Sequence, residues 1–221
     1  MHAGIAQITQ NINQVMRLGT NTDEITPLID RAGGTLLANG MAILLKLGFG
    51  YLLREGLLDK EQSQKAKQFF EHNFEIVDPY AENGKRYYQG KFLIRTRKPD
   101  DDMNVWLRFC PEPENLYQNT PFGKTLNPLA VVATKTLDEK EADSIEQDPD
   151  KVDLVIKFKD AKSIVSLIGR PEVDIVGLLL ENLVQLEGNM GHLFKLGAIA
   201  QNIESMIDIP QVLDQEEYSD E

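Results

Sequence analysis

The stretch "VDLVIKFKDAKSIVSLIGRPEVDIVGLLLENLVQLEGNMGHLFKLGAIA", residues 152–200, decides the fold because its apolar period keeps changing. Val152, Leu154, Ile156 and Phe158 recur at every second position, which predicts a strand. "AKSIVSLIG" then reads as a short helix ended by Gly169, and "RPEVDIVGLLLEN" as a second helix with Pro171 in its tolerant first turn. "LVQLEG" returns to alternation, and residues 190–207 form a last helix. Between these two lies Gly188-Asn189-Met190-Gly191. Backbone amides at a helix start can hold an anion, but a P-loop would place Lys-Ser or Lys-Thr after the glycines, and here His192-Leu193-Phe194 follow. The turn therefore reads as a sharp strand-to-helix exit. Gly188 supplies unusual backbone angles and Asn189 caps the first helical amides.

The helix beyond is apolar over an unusual share of its circumference. Leu193, Leu196, Gly197, Ala200, Ile203 and Ile207 form one stripe, and Met190, Phe194, Ile199 and Met206 widen it. The preceding helix is similar, with Ile175, Val176, Leu178, Leu179, Leu180 and Leu183 pointing in nearly all directions. Each residue alone fits a packed core. Together the two helices can wall an apolar cavity.

Working outward, "KFLIRT" alternates through Phe92, Ile94 and Thr96. "MNVWLRFC" places Met103, Val105, Leu107 and Phe109 on one face and Asn104, Trp106, Arg108 and Cys110 on the other. The two runs, joined by "KPDDD", predict an antiparallel hairpin. Residues 111–127 read as loop, "PLAVVATKTL" as a third strand, and "DEKEADSIEQDPDK" as a solvated acidic loop. Residues before 80 read as helical: "GIAQITQNINQVMRLG", "TNTDEITPLIDRAGG", the apolar segment 35–53, and "LDKEQSQKAKQFFEHNF" opened by Asp59 with Gln62 three residues on. The segment 35–53 carries Asn39, Lys46 and three glycines, so it is expected to be a buried helix and not a membrane span, which needs about 20 nearly uninterrupted apolar residues. The tail "DQEEYSDE" is expected to be disordered.

Of 221 residues, 42% are hydrophobic and 26% charged, enough apolar material for a real core. The net charge of −12 argues against nucleic-acid binding, which needs clustered Lys and Arg. The single cysteine, Cys110, and the absence of a basic-then-apolar leader in "MHAGIAQITQ" lead to an expected cytoplasmic location. Catalytic signatures are scarce. His2, His72 and His192 form no metal-ligand spacing, and there is no Gly-x-Ser-x-Gly and no Walker sequence. His72 reads as solvated, His192 as a boundary residue, and Cys110 as a passive half-buried thiol. No cofactor, no metal and no enzymatic activity are expected.

Residues 150–200 resemble the C-terminal half of the sterol carrier protein 2 family. The pattern rests on Val152-Asp153, Asp160, Gly169-Arg170, Pro171 and, most specifically, Gly188-Asn189-Met190-Gly191 before an apolar helix. The hairpin 91–110 is similar to the family's first two strands, and residues 1 to about 58 have no counterpart. Where the family has Gly-Lys before its last strand, this chain has Glu181-Asn182; asparagine tolerates left-handed geometry, so the turn can survive. The loop 111–150 is longer and more acidic than the family pattern.

The order of elements read from the residues predicts an α+β fold with helices on one face of a mostly antiparallel sheet and a helical extension in front, and the resemblance implies five strands with an apolar tunnel between sheet and helices. Together with the reading of the residues, the resemblance divides the chain into a helical region 1–80, a lipid-binding domain 81–208 and an acidic tail 209–221. It also implies non-enzymatic binding or transfer of a fatty acid, fatty acyl-CoA, sterol-like molecule or phospholipid. The wall implied in this way comprises Phe92, Ile94, Val105, Leu107, Ile156, Phe158, Val176, Leu179, Leu180, Met190, Leu193, Phe194 and Gly197. Transient membrane contact and a homodimer are the further partners to test. The alternative is an interaction or regulatory module whose N-terminal helices fill the tunnel or form a dimer face.

Overall fold

The structure is a computed structural model that describes residues 34–35, 37–42, 45–46, 60–98, 101–121, 123–165 and 175–206. The expectations for residues 1–33, for Asp59 as a cap, for the turn Gly169–Pro171, for the side chain of Val176 and for the tail lie outside the described residues.

The chain orders a helix α1 (Lys60–Phe74), a ribbon β1 (Glu75–Val77) and β2 (Lys85–Tyr87), then β3 (Lys91–Thr96) and β4 (Asn104–Phe109). A single 3-10 turn, Pro113–Asn115, leads to a second ribbon, β5 (Tyr117–Thr120) and β6 (Gly123–Leu126), and a short helix α2 (Pro128–Val131) leads to β7 (Val132–Thr136). There follow α3 (Glu139–Glu146), β8 (Leu154–Phe158), α4 (Ala161–Val165), α5 (Ile175–Leu180), β9 (Val184–Gly188) and α6 (Met190–Met206). The described residues among 34–46 are helical as well.

The fold is α+β around a five-stranded sheet of order β7-β4-β3-β8-β9. The sheet is mixed, which corrects the expectation of a mostly antiparallel one. Its central pair, β3 with β8, runs parallel, with Phe92 opposite Leu154 and Ile94 opposite Ile156. The flanking pairs β3/β4, β4/β7 and β8/β9 are antiparallel. The cause is visible in the residues. "FLI" in β3 and "LVI" in β8 are continuous apolar runs, the composition of strands covered on both faces.

Successive side chains alternate between the faces of a strand. On one face Phe92, Ile94, Val105, Leu107, Phe109, Leu154 and Ile156 join the main core. It is closed by Ala38 and Ala42 from the first helical residues, by Phe69, Phe70 and Phe74 of α1, and by Ile164, Leu178 and Ile199 of α4, α5 and α6. The helical residues 34–46 also tie down the edge strand β7. Thr134 Oγ1 donates to the Ala42 carbonyl at 3.0 Å, and Thr136 Oγ1 reaches Asn39 Oδ1 at 2.9 Å.

The opposite face carries Leu93 and Val155, which pack with Leu137 and with Ala142 and Ile145 of α3. Helices therefore cover both faces, which corrects the expectation of helices on one face, and the acidic segment expected to be a solvated loop is a helix. Asp138 caps it, accepting from the Glu141 amide at 2.8 Å. Glu139, Asp143 and Glu146 fall on one side of α3, and all three meet Arg95 of β3, which is 6% exposed. Lys157 of β8 stands beside Arg95 in register, and Glu146 accepts from both, so one carboxylate relieves a like-charge pair. Residues 111–127, also expected to be loop, contain the β5–β6 ribbon.

Candidate functional site

The strand-to-helix exit is built as its residues dictate. Gly188 has φ of +119°, and a Cβ there would collide with the backbone oxygen of Asp153. That conformation and that contact leave room only for glycine. Asn189 fastens the turn: its amide donates to the Asp153 carbonyl at 2.9 Å, and its Oδ1 accepts from the Gly191 amide at 2.9 Å. The Gly191 amide is thus engaged by the cap. One turn earlier, Asn182 sits at φ +55°, the left-handed geometry expected where Gly-Lys is missing. Leu183 N–H bonds the Leu178 carbonyl at 2.9 Å and Asn182 N–H bonds that of Leu179 at 3.1 Å, a Schellman ending for α5.

The residues read as an apolar wall divide into two groups. Phe92, Ile94, Val105, Leu107 and Ile156 are buried in the main core, with Phe158 and Leu193 packed against it. Leu179, Leu180, Met190 and Phe194 are exposed at 38%, 83%, 40% and 74%, and Gly197 is exposed as well. On α6 the split follows helical spacing. Leu193, Leu196 and Ile199 face the core, while Met190 and Phe194, four apart, stand on the far side. The buried group touches the first helical residues and α1, so the N-terminal helices share the space above the sheet with α5 and α6.

Beside the exit lies a polar cluster that the sequence did not signal. Tyr88 Oη and His192 Nδ1 are 2.7 Å apart, the rings stack at 5.6 Å, and Phe92 stands edge-on to the imidazole at 6.1 Å. Gly90 makes the room, since a Cβ there would strike the Tyr88 hydroxyl and the Phe92 ring. Burial, with help from the Asp153 carboxylate, raises the Tyr88 phenol well above its ordinary pKa, so it stays protonated. Lys195 Nζ lies 5.9 Å over the Tyr88 ring, and burial pulls its ammonium below the ordinary lysine value. Tyr88 and His192 are 104 residues apart in sequence, which is why no motif announced the pair.

The other candidates are quieter. His72 is exposed, as expected. Cys110 is fully buried, beyond the half-burial expected of it, at φ +42° where β4 ends. Burial pushes its thiol up to about 12. Among the described residues no group of His, Cys, Asp and Glu could hold a metal ion, and no helix is long and apolar enough to cross a membrane. Two open surface depressions, of about 380 Å³ beside Glu112, Asn115 and Tyr117 and about 630 Å³ beside Lys140, Asp143 and Ser144, are lined mostly by polar residues and touch none of the apolar wall.

Against known proteins, the chain matches no family model, no curated protein and no solved structure.

Proposed function

We propose that the protein binds and carries a lipid-type molecule without chemistry on it, against the layer formed by α5 and α6. The observation that carries the reading is the double-sided apolarity of these helices. Leu178, Leu193, Leu196 and Ile199 belong to the core, and Leu179, Leu180, Met190 and Phe194 remain exposed beyond it. An apolar patch of this kind on an acidic, otherwise well-satisfied surface marks a place where apolar matter docks. The resemblance of residues 150–200 to the sterol carrier protein 2 family supports the same reading, as does the sheet-plus-helix layout around the Gly188–Gly191 exit. A cytoplasmic carrier fits the lone buried thiol and the net charge of −12.

The driving force is desolvation, about 0.8 kcal/mol per buried CH₂ group. Native mass spectrometry of the purified protein is expected to show co-purified lipid, and the stripped protein is expected to bind a fluorescent fatty acid. Phe194→Ser should weaken that binding several-fold while leaving the unfolding midpoint unchanged, because the ring is largely exposed. The absence of both co-purified lipid and fluorescent fatty-acid binding would refute carriage.

A second reading rests on the packing of Ala38, Ala42, Phe70 and Phe74 against Phe92, Val105 and Phe109. In it the N-terminal helices fill the space a ligand would need, and the exposed strip serves a partner protein. Lipid-free protein that self-associates, and loses that association in the Phe194→Ser variant, favours this second reading.

A further inference from the structure

We propose that the Tyr88–His192–Lys195 cluster is an anion subsite that receives the acidic head group of the ligand, so that the protein selects anionic amphiphiles over neutral ones. The inference rests on the lipid-binding reading above and deepens it.

It begins with the hydrogen bond. Tyr88 Oη and His192 Nδ1 are hydrogen-bonded across 2.7 Å, and in the tautomer we assign the phenol donates. A neutral imidazole that accepts at Nδ1 carries its proton at Nε2. Among the described residues no protein acceptor meets that Nε2–H. Lys195 follows three residues later, so its ammonium rises from the same side of α6 as the imidazole.

The other substantially buried cations with carboxylates nearby are satisfied: Arg95 by three acids, Lys157 by Glu146 and Glu187. Lys195 has no carboxylate within ion-pair distance among the described residues, and its titration is displaced by burial alone. The acid facing Tyr88 is Asp153, and its carboxylate is held by the Lys91 backbone amide at 2.8 Å. A half-buried ammonium and an imidazole, both set against the Tyr88 ring and neither with a carboxylate partner among the described residues, form a receptor for a carboxylate or phosphate.

The test uses the full chain and three ligands with one common tail: laurate, dodecyl phosphate and methyl laurate, titrated by calorimetry. Wild type is expected to bind one or both anions about tenfold or more tightly than the ester, the scale of a charge-assisted hydrogen bond. A stronger response to laurate identifies a carboxylate and a stronger response to dodecyl phosphate identifies a phosphate; either supports the subsite. Lys195→Met should bring the anion-to-ester ratio close to one, and Lys195→Arg should restore it. His192→Phe, which keeps an aromatic ring against Tyr88 and Phe92, should lower the ratio several-fold. Should Lys195→Met fold poorly by circular dichroism, Lys195→Gln carries the same expectation. Equal binding of all three ligands by wild type, or a preference that survives Lys195→Met, overturns the subsite and leaves lipid carriage standing. No binding of any of the three overturns both.

Discussion

At the scale of single residues, backbone conformation fixes what can be changed. Gly188 combines φ of +119° with the close approach of Asp153, so Gly188→Ala should cost about 2 kcal/mol or more in urea-monitored stability. Asn182, at φ +55°, is already tolerable there, and Asn182→Gly should stay within about 0.5 kcal/mol of the parent. Cys110 illustrates burial acting on chemistry. With its thiol pushed up to about 12, it should resist thiol reagents at neutral pH and react only once the chain is unfolded by denaturant. Its raised pKa also means stability should fall as pH climbs past about 8.5, where the unfolded thiol ionises and the folded one does not. Gly188 and Asn182 were legible in the sequence because each depends on local geometry: a glycine at a sharp exit, an asparagine where glycine is usual. The Tyr88–His192 bond was not, because nothing in either neighbourhood encodes a partner 104 residues away.

At the scale of elements, α3 is the instructive case. By its high charge "DEKEADSIEQDPDK" reads as solvated loop. Two cues pointed the other way. Asp138 followed by Glu141 has the spacing of a capped helix start, and Glu139, Asp143 and Glu146 recur at helical intervals. What composition could not supply was Arg95, whose buried guanidinium turns those carboxylates inward. Arg95→Ala should destabilise by about 2–4 kcal/mol, since three clustered acids lose their common cation. The pH dependence has a definite sign. Burial alone would raise the Glu146 carboxyl, but hydrogen bonds from Lys157 and Arg95 outweigh it and hold it below the ordinary value. A depressed acid stabilises above its unfolded pKa and ceases to as pH falls through the folded one. Stability should therefore decline below about pH 4.3, and Glu146→Gln should flatten that decline. The strands, by contrast, were plain. Met103, Val105, Leu107 and Phe109 alternate in the sequence and share the core in the fold.

At the scale of the whole molecule, the five strands of the main sheet and the helices after β8 were readable, whereas the β5–β6 ribbon, α3 and the sheet's order were not. Alternation tells which face a residue takes; it does not tell which strand lies beside which. The doubled apolar runs of β3 and β8 were the available sign of two-sided burial, and the Leu93–Val155 pairing is its realisation. On the other face the N-terminal helical residues are part of the main core, with Phe69, Phe70 and Phe74 against the sheet. A chain shortened to residues 81–221 should therefore expose the Phe92–Phe109 face, bind a hydrophobic dye and lose cooperative unfolding. The parallel central pair has a further consequence, in time. β3 can pair with β4 almost as soon as both are made, but Phe92 must wait for Leu154, 62 residues further on. At about 5–20 residues per second of synthesis, the second edge of β3 stays open for roughly 3–12 s. Through that interval a nascent chain carries an unpaired "FLI" strand, and crowding on the ribosome, more than the stability of the finished fold, would set how much of it escapes aggregation.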